Sequence, residues 1–396
     1  MCRQIILKHK RDESLKRFHP WIFSGAVAKY TDKPDEGDVV DILTADNEFI
    51  ARGHYQTGSI ICRVLTFENE KIDTDFWRKR ISNAYKLREK AGLVNNKYTT
   101  AYRLVHGEGD MLPGLIIDIY GKTAVIQAHS TGMFYQRQTV CEILIEIFGN
   151  KLDAVYDKSS ATIPFNTDSN IKDGYIFGSN DENENIILEN GNKFIVNPEI
   201  GQKTGFFIDQ RENRKILEQY TCKTNVLNTF CYTGGFSVSA FRGGANLVHS
   251  VDSSQKAIDF AYKNIELNFG KNINHQAFVD DTFSFMRNAE NNFYDVIILD
   301  PPAFAKHNSA LKNAMQAYKR LNAAALAKIK SSGILFTFSC SQAVDRTNFR
   351  NAVFSAAAIS RRNVRILHQL TQPADHPVNI YHPEGEYLKG LVLYVE

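Results

Sequence analysis

A chain of 396 residues is too long for one ordinary core and suits two or three, since domains usually run to ~100–200 residues each. With 43% hydrophobic and 23% charged residues, 24 Gly and 10 Pro, it is not collagen-like, disordered or mucin-like, and it must bury real cores. A formal charge of +3 is too small to establish a nucleic-acid partner, yet Arg3, Lys8, Lys10, Arg11, Lys16, Arg17 and Lys29 face only Asp12 and Glu13 at the amino end, which suits phosphate.

From Gln4 to about Phe67 short β-type runs (residues 38–43, 49–51 and 60–65) are broken by Pro34, Gly37, Gly53 and Gly58, which predicts a small barrel or sandwich. Apolar residues then fall mostly at helical spacing over 73–91. Residues 102–114 read as strand and turn, 115–119 with 122–128 as a hairpin, and 135–148 as a helix, an α+β order. A further hairpin turns at Asn190-Gly191. Beyond residue 222 strand and helix alternate: strands over 225–230, 246–252, 277–280, 295–300 and 333–339, with helices from Phe236, Ser254 and Phe283 and near 311–329. Such alternation predicts an α/β domain with a mainly parallel, doubly wound sheet. No apolar stretch approaches the ~18 residues of a membrane span, so a soluble cytoplasmic protein is expected. The six cysteines are scattered, without CxxC pairs or nearby His at ligand spacing, so neither a metal nor a disulfide framework is expected.

Ligands of doubly wound folds sit beyond the carboxyl ends of the strands, which makes the residues after each strand informative. The first strand runs into Tyr232-Thr233-Gly234-Gly235, where the glycines let a cofactor approach the backbone before a helix begins. Asp252 ends the second strand about twenty residues on, placed to accept bonds from ribose hydroxyls or, alternatively, to cap a helix. Asp281 or Asp280 follows the third strand, toward an adenine edge or as a cap. These features fit S-adenosylmethionine or NAD equally.

The fourth strand ends in Asp300-Pro301-Pro302-Ala303-Phe304, a stiff turn with an acid aimed into the crevice; base-modifying methyltransferases use such a turn to grip a flipped nucleobase, with Phe304 stacked nearby. The fifth ends in Ser339-Cys340-Ser341, placing a thiol on the same side. Thiolate addition at carbon 6 of a pyrimidine makes carbon 5 nucleophilic, and an acid at ring nitrogen 3 stabilises the adduct. Cys340 and Asp300 are the candidates for those tasks, with Lys306 among the basic residues that would make the surroundings electropositive. Packing roles are assigned to Cys231 and Trp21, and an ordinary surface pair to Glu386 and Lys389.

His19 to Gly25, Gly37 to Val40, Arg103 to Asp118, Gln202 to Arg211, Tyr232 to Ser237, Asp300 to Phe304, Ser339 to Ser341 and His382 to Gly390 together resemble the bacterial ribosomal RNA large-subunit methyltransferase I family. The resemblance covers nearly the whole chain. It implies a PUA-like RNA-binding barrel over residues 1–70, a central α+β domain over 71–198 and a Rossmann-like methyltransferase domain over 199–396, with a homodimer compatible with it. It also implies S-adenosylmethionine as cofactor, ribosomal RNA as partner and 5-methylcytosine as product. Phe206, Asp209 and Arg211 would flank the cofactor, Asp281 its adenine, and Pro301, Pro302 and Phe304 the base. Asn228 stands where related enzymes often carry an acid, and no second cysteine lies in the Asp-Pro-Pro turn, so another base, His307 being one candidate, must take the carbon 5 proton. The same scaffold also suits methylation of a guanine nitrogen, or a non-catalytic RNA-binding assembly factor.

Overall fold

The computed structural model describes residues 3–163, 171–179, 185–305 and 307–396. The chain forms two compact units: Met1–Ile187 with Val196–Ile208 and Ala374–Gly385, and Leu188–Ile195 with Asp209–Pro373 and Glu386–Glu396.

The first unit begins with β1 (Arg3–Leu7), a helical turn α1 (Glu13–Lys16), β2 (Trp21–Phe23), β3 (Val27–Tyr30), β4 (Val39–Leu43), β5 (Phe49–Tyr55) and β6 (Ile60–Thr66). They make one six-stranded sheet in the order β2-β6-β5-β4-β1-β3. Ile5, Leu7, Leu15, Ile22, Val40, Ile42, Cys62 and Val64 fill its core, the inward half of the alternation visible in the sequence. Helix α2 (Thr74–Lys90) follows, capped by Asp73, whose side chain accepts from the Phe76 N–H. A second sheet, in the order β11-β10-β9-β8-β7, holds β7 (Ala101–His106), β8 (Leu115–Tyr120), β9 (Thr123–Ala128), β10 (Ala154–Asp157) and β11 (Gly174–Phe177). Helices α3 (Thr131–Tyr135) and α4 (Arg137–Phe148) lie between β9 and β10 in the chain. Trp77, Ile81, Leu104, Ile117, Ile126 and Leu144 belong to the shared core of α2, this sheet and α4.

The hairpin β12 (Asn185–Glu189) and β13 (Asn192–Val196) turns at Asn190 and Gly191, both at positive φ (50° and 81°), the geometry a two-residue hairpin loop requires.

The second unit adds α5 (Arg211–Leu217), β14 (Asn225–Thr229), α6 (Gly235–Arg242), β15 (Leu247–Asp252), α7 (Gln255–Phe269), β16 (His275–Val279), α8 (Thr282–Asn288), β17 (Tyr294–Leu299), α9 (Leu311–Lys328), β18 (Ile329–Ser339), α10 (Arg346–Ser360), β19 (Val364–Leu370) and β20 (Lys389–Val395). Its seven-stranded sheet runs β16-β15-β14-β17-β18-β20-β19. The first five strands in that order are parallel, while β20 pairs antiparallel with both β18 and β19. Strand order reverses between β14 and β17, which is where ligands of such sheets bind. Val226, Leu227, Val296, Ile297, Ile298 and Leu299 are buried because helices cover both faces, so these strands are continuous apolar runs. No helix of the described residues is long and apolar enough to cross a membrane.

Candidate active site

Parallel register aligns the ends of the strands in the second unit. Thr229 lies opposite Val251 on one side and Leu299 on the other, Leu299 opposite Thr337, and Asp252 opposite Val279. Asp281, Asp252, the Tyr232 to Gly235 turn, Asp300 and Cys340 therefore leave the sheet along one edge.

Two groups of contacts organise that edge. In the first, Asp252 Oδ2 accepts the backbone N–H of Tyr232 at 2.9 Å, and its Oδ1 accepts that of Ser254 at 3.0 Å. Ser254 rather than Asp252 caps α7, its hydroxyl accepting from Ala257, so the cap alternative for Asp252 is not what the fold adopts. A carboxylate has about four acceptor positions, so both oxygens of Asp252 retain capacity for hydroxyl donors. Gly234 sits at φ +81°, and a Cβ there would press on Ala261, which is why the turn needs glycine. Gly235 leaves room for the Arg214 side chain, 3.1 Å from where its Cβ would be. Asp281 is exposed and caps α8, its Oδ1 accepting from Ser284 at 3.0 Å.

The second group surrounds the Asp-Pro-Pro turn. Gln210 Nε2 donates to Asp300 Oδ1 at 3.0 Å and is itself held by Asn213, which donates to its Oε1 at 2.6 Å. Desolvation and the neighbouring charge of Asp209 push the Asp300 carboxyl up to about 7, with Arg214 and the Gln210 bond opposing. Asp209 Oδ2 accepts from the Tyr387 hydroxyl at 2.7 Å. Arg214 makes a buried two-pronged pair with Glu189 at 2.6 and 2.7 Å. Arg211 is buried, with its Nε 3.0 Å from Glu212 Oε1. Cys340 is half-buried, and its Sγ lies 3.7 Å from the Pro301 carbonyl oxygen. Beside it Ser341 Oγ meets the Tyr318 hydroxyl at 3.0 Å and the Ala305 N–H at 3.3 Å. Pro301 is buried and Pro302 exposed, while the half-buried Phe304 ring lies 4.7 Å from that of Tyr318, tilted by 50°.

Two expectations need revision. Lys389 is not a surface residue: it is 3% exposed, and its ammonium donates to the carbonyls of Ser341 and Tyr387, both at 2.7 Å. Glu386 pairs instead with Arg346. Trp21 is half-buried, not core, with its indole N–H donating to Glu108 at 2.8 Å and its ring 4.3 Å from that of His382. The Phe206 N–H donates to the Tyr120 hydroxyl at 3.2 Å. Lys306 lies outside the described residues. His307 is exposed. Cys231 is buried, and its thiol is pushed up by desolvation and by Asp252, as a packing role requires.

The residues fit a polar, adenosine-bearing cofactor. Asn228 Oδ1, Thr233 Oγ1 and Asp209 Oδ1 are buried acceptors with no hydrogen-bond partner among the described residues, a cost that folding does not leave without reason at a ligand edge. Thr233 lies within the glycine turn, and Asn228 in the strand that leads into it.

The PUA-like domain model matches residues 5–67, and the S-adenosylmethionine-dependent methyltransferase model matches residues 165–378. A protein called ribosomal RNA large subunit methyltransferase I from Aeromonas hydrophila is 39% identical over 99% of each chain. One of the same name from Klebsiella pneumoniae is 39% identical over 99% of this chain and 98% of that one. The fold is shared with a solved putative SAM-dependent methyltransferase of Streptococcus mutans, at TM-score 0.84 and 23% identity over 100% of both chains. With a cofactor edge of this construction and full-length likeness at that level, the chain belongs to the S-adenosylmethionine-dependent methyltransferases, within the ribosomal RNA large subunit methyltransferase I family, and its cofactor is S-adenosylmethionine.

Proposed function

We propose that this cytoplasmic enzyme methylates carbon 5 of a cytosine in large-subunit ribosomal RNA through a covalent adduct with Cys340. The relatives' names supply the RNA class, and the observation that carries the chemistry is the pairing of Cys340 Sγ, 3.7 Å from the Pro301 carbonyl, with an adjacent Asp300 whose carboxyl is pushed up to about 7. An acid poised there is part protonated at neutral pH and gives its proton to ring nitrogen 3 as the sulfur adds at carbon 6. The Cys340 electron pair forms the sulfur–carbon bond, and the ring electrons it displaces settle on the protonated side. When bound, S-adenosylmethionine supplies an electrophilic methyl group. Loss of the carbon 5 proton to a base then restores the ring double bond and expels the thiolate, while ring nitrogen 3 returns its proton to Asp300.

Gln210 holds the Asp300 carboxyl in place through its 3.0 Å bond, and the charge of Arg214, itself paired with Glu189, opposes part of the upward shift. Asp252 serves the ribose, Asp281 the adenine edge, and Phe206, Asp209, Arg211, Tyr232, Thr233, Gly234 and Gly235 the remainder of the cofactor, while Pro301, Pro302, Phe304 and Lys306 grip the base. Residues 1–70 act as the RNA-binding barrel, 71–198 as the central domain and 199–396 as the methyltransferase domain. Nucleoside analysis of ribosomal RNA from cells lacking the protein tests this reading: one 5-methylcytosine should vanish and return with the wild-type gene but not with Cys340→Ala. A lost methylguanosine instead would overturn it.

A further inference from the structure

We propose that His19, His382 and Glu384 form a binding site for a zinc ion in the first unit. A nitrogen from each imidazole and an oxygen of the carboxylate lie within 4.8 Å of one another. The donors come from two segments of that unit: His19 stands just before β2, and Glu384 lies 365 positions further on, in a helical turn over Pro383–Gly385 that His382 precedes. Local ligand spacing is therefore no guide to it. The His382 N–H donates to the Asn379 carbonyl at 2.8 Å, and the Asn379 side chain donates to the Glu108 carbonyl at 3.3 Å, which fixes the later segment. His19 Nδ1 lies 3.4 Å from the Trp21 carbonyl oxygen and 3.2 Å from the Trp21 backbone nitrogen, so β2 orients that ring. With the proton on Nδ1, toward the carbonyl, Nε2 turns its lone pair to Glu384, the arrangement that metal-bound imidazoles commonly adopt.

His382 supplies the second observation. It is 3% exposed, and neither of its ring nitrogens has a hydrogen-bond partner among the described residues. Folding rarely leaves a buried imidazole so, and a ligand that takes its lone pair removes the cost. Its ring packs 4.3 Å from that of Trp21, whose indole N–H is in turn held by Glu108, so the side chain is positioned without any polar contact of its own. The spacing separates a metal from a proton. Both Nε2 atoms flank the same carboxylate oxygen, Glu384 Oε2, at 3.4 Å for His19 and 3.7 Å for His382. A charge-assisted hydrogen bond to a protonated ring would be shorter, about 2.7–2.9 Å. Ligands about 2.0–2.2 Å from a tetrahedral zinc stand roughly 3.3–3.5 Å apart, which both edges approach. Two imidazoles and one carboxylate suit zinc, whereas magnesium and calcium call for oxygen ligands alone. Three protein donors leave a fourth position, and Glu384 is exposed, so solvent reaches it. Because the donors meet only when residues 374–385 fold into the first unit, the ion favours the folded form of that unit.

The test is titration of the metal-free full chain with zinc in competition with a chromophoric chelator, and separately with cobalt(II) as a spectroscopic probe. One zinc should bind per chain. Cobalt should give the visible bands of a tetrahedral nitrogen and oxygen site, without the sulfur-to-metal absorption that a cysteine ligand would add. Glu384→Gln should weaken zinc binding at least about tenfold, and the His19→Ala, Glu384→Gln double variant should abolish one-to-one binding. His382→Gln should do the same. Because that ring is buried, it is read only if its metal-free melting matches wild type; the two less buried ligands decide otherwise. Failure of the wild-type chain to take up one equivalent of zinc overturns the proposal. So does wild-type affinity in Glu384→Gln or in the double variant, and so does a sulfur-to-cobalt band, which would assign the metal to a cysteine.

Discussion

Each unit buries carboxylates, and two sites, one in each, treat them in opposite ways. In the first, Arg88 forms a two-pronged pair with Asp110 and also donates to the carbonyls of Arg103 and Asp375, at 2.7 and 2.8 Å. Arg103 pairs with Asp118 at 2.8 Å through two nitrogens, and Thr204 donates to the same carboxylate at 2.6 Å. Asp110 and Asp118 thus each have an opposite charge and an extra donor, the His106 N–H and the Thr204 hydroxyl, which is what makes buried ion pairs tolerable. In the second unit, Asp300 has Gln210 as a neutral donor and Asp209 as a like charge nearby, and its carboxyl is pushed up to about 7. Asp209 Oδ1, Asn228 Oδ1 and Thr233 Oγ1 have no hydrogen-bond partner among the described residues. Complete compensation gives a scaffold; incomplete compensation leaves groups ready to exchange protons or accept a ligand.

The largest effects should come from the incompletely compensated side. Cys340→Ala should lower methyl transfer by at least about a thousandfold while leaving the S-adenosylmethionine dissociation constant near wild type. Single-turnover assays with calorimetry read the two together, and substantial turnover would end the covalent account. Asp300→Asn should cost about a hundred- to ten-thousandfold in rate, since an amide cannot deliver the proton. The pH dependence has a definite sign. A carboxyl held near 7 in the folded state keeps its proton where the unfolded chain has lost it, so its contribution to stability falls as pH rises from about 4 to about 7. Asp300→Asn should flatten the stability profile over that window, and a slope equal to wild type would contradict the desolvated acid.

On the compensated side the loss should be of stability, not chemistry. Arg88→Met strands the Asp110 carboxylate in a buried site and should cost about 3–5 kcal/mol, read as a lower denaturant midpoint. Cofactor affinity in the second unit should be unaltered below the transition. A drop in affinity without loss of stability would erase the distinction between the regions.

What the sequence revealed follows the same division. The strands of the second unit were legible because burial on both faces makes runs such as Val296 to Leu299 continuously apolar, and the residues ending each strand followed from that placement. Lys389 was not legible: its burial comes from β20 inserting antiparallel between β18 and β19, and a lysine three residues from a glutamate otherwise looks like surface. Gln210 lay inside a recognised motif, yet its role depends on Asp300, ninety residues away in the chain. Trp21 was misread as core because its indole partner, Glu108, is 87 residues distant. Local periodicity reports which face is buried, and it says nothing of which distant polar atom will meet a side chain there.

The smallest effect tests Asp252, where scaffold and ligand roles coincide. Its two oxygens already accept from Tyr232 and Ser254, so removing them loosens the glycine turn as well as any ribose contact. Hydrogen bonds to a charged group contribute about 1.5–3 kcal/mol, so Asp252→Ala should weaken S-adenosylmethionine binding roughly ten- to a hundredfold. Asp252→Asn keeps one carbonyl oxygen as an acceptor but exchanges the other for a donor, and should fall between Ala and wild type. The separation comes from comparing melting without cofactor against calorimetric affinity. A ribose acceptor predicts affinity losses larger than the change in melting implies. Affinity that stays at the wild-type value while melting falls would assign Asp252 wholly to the turn, and would move that carboxylate into the compensated class.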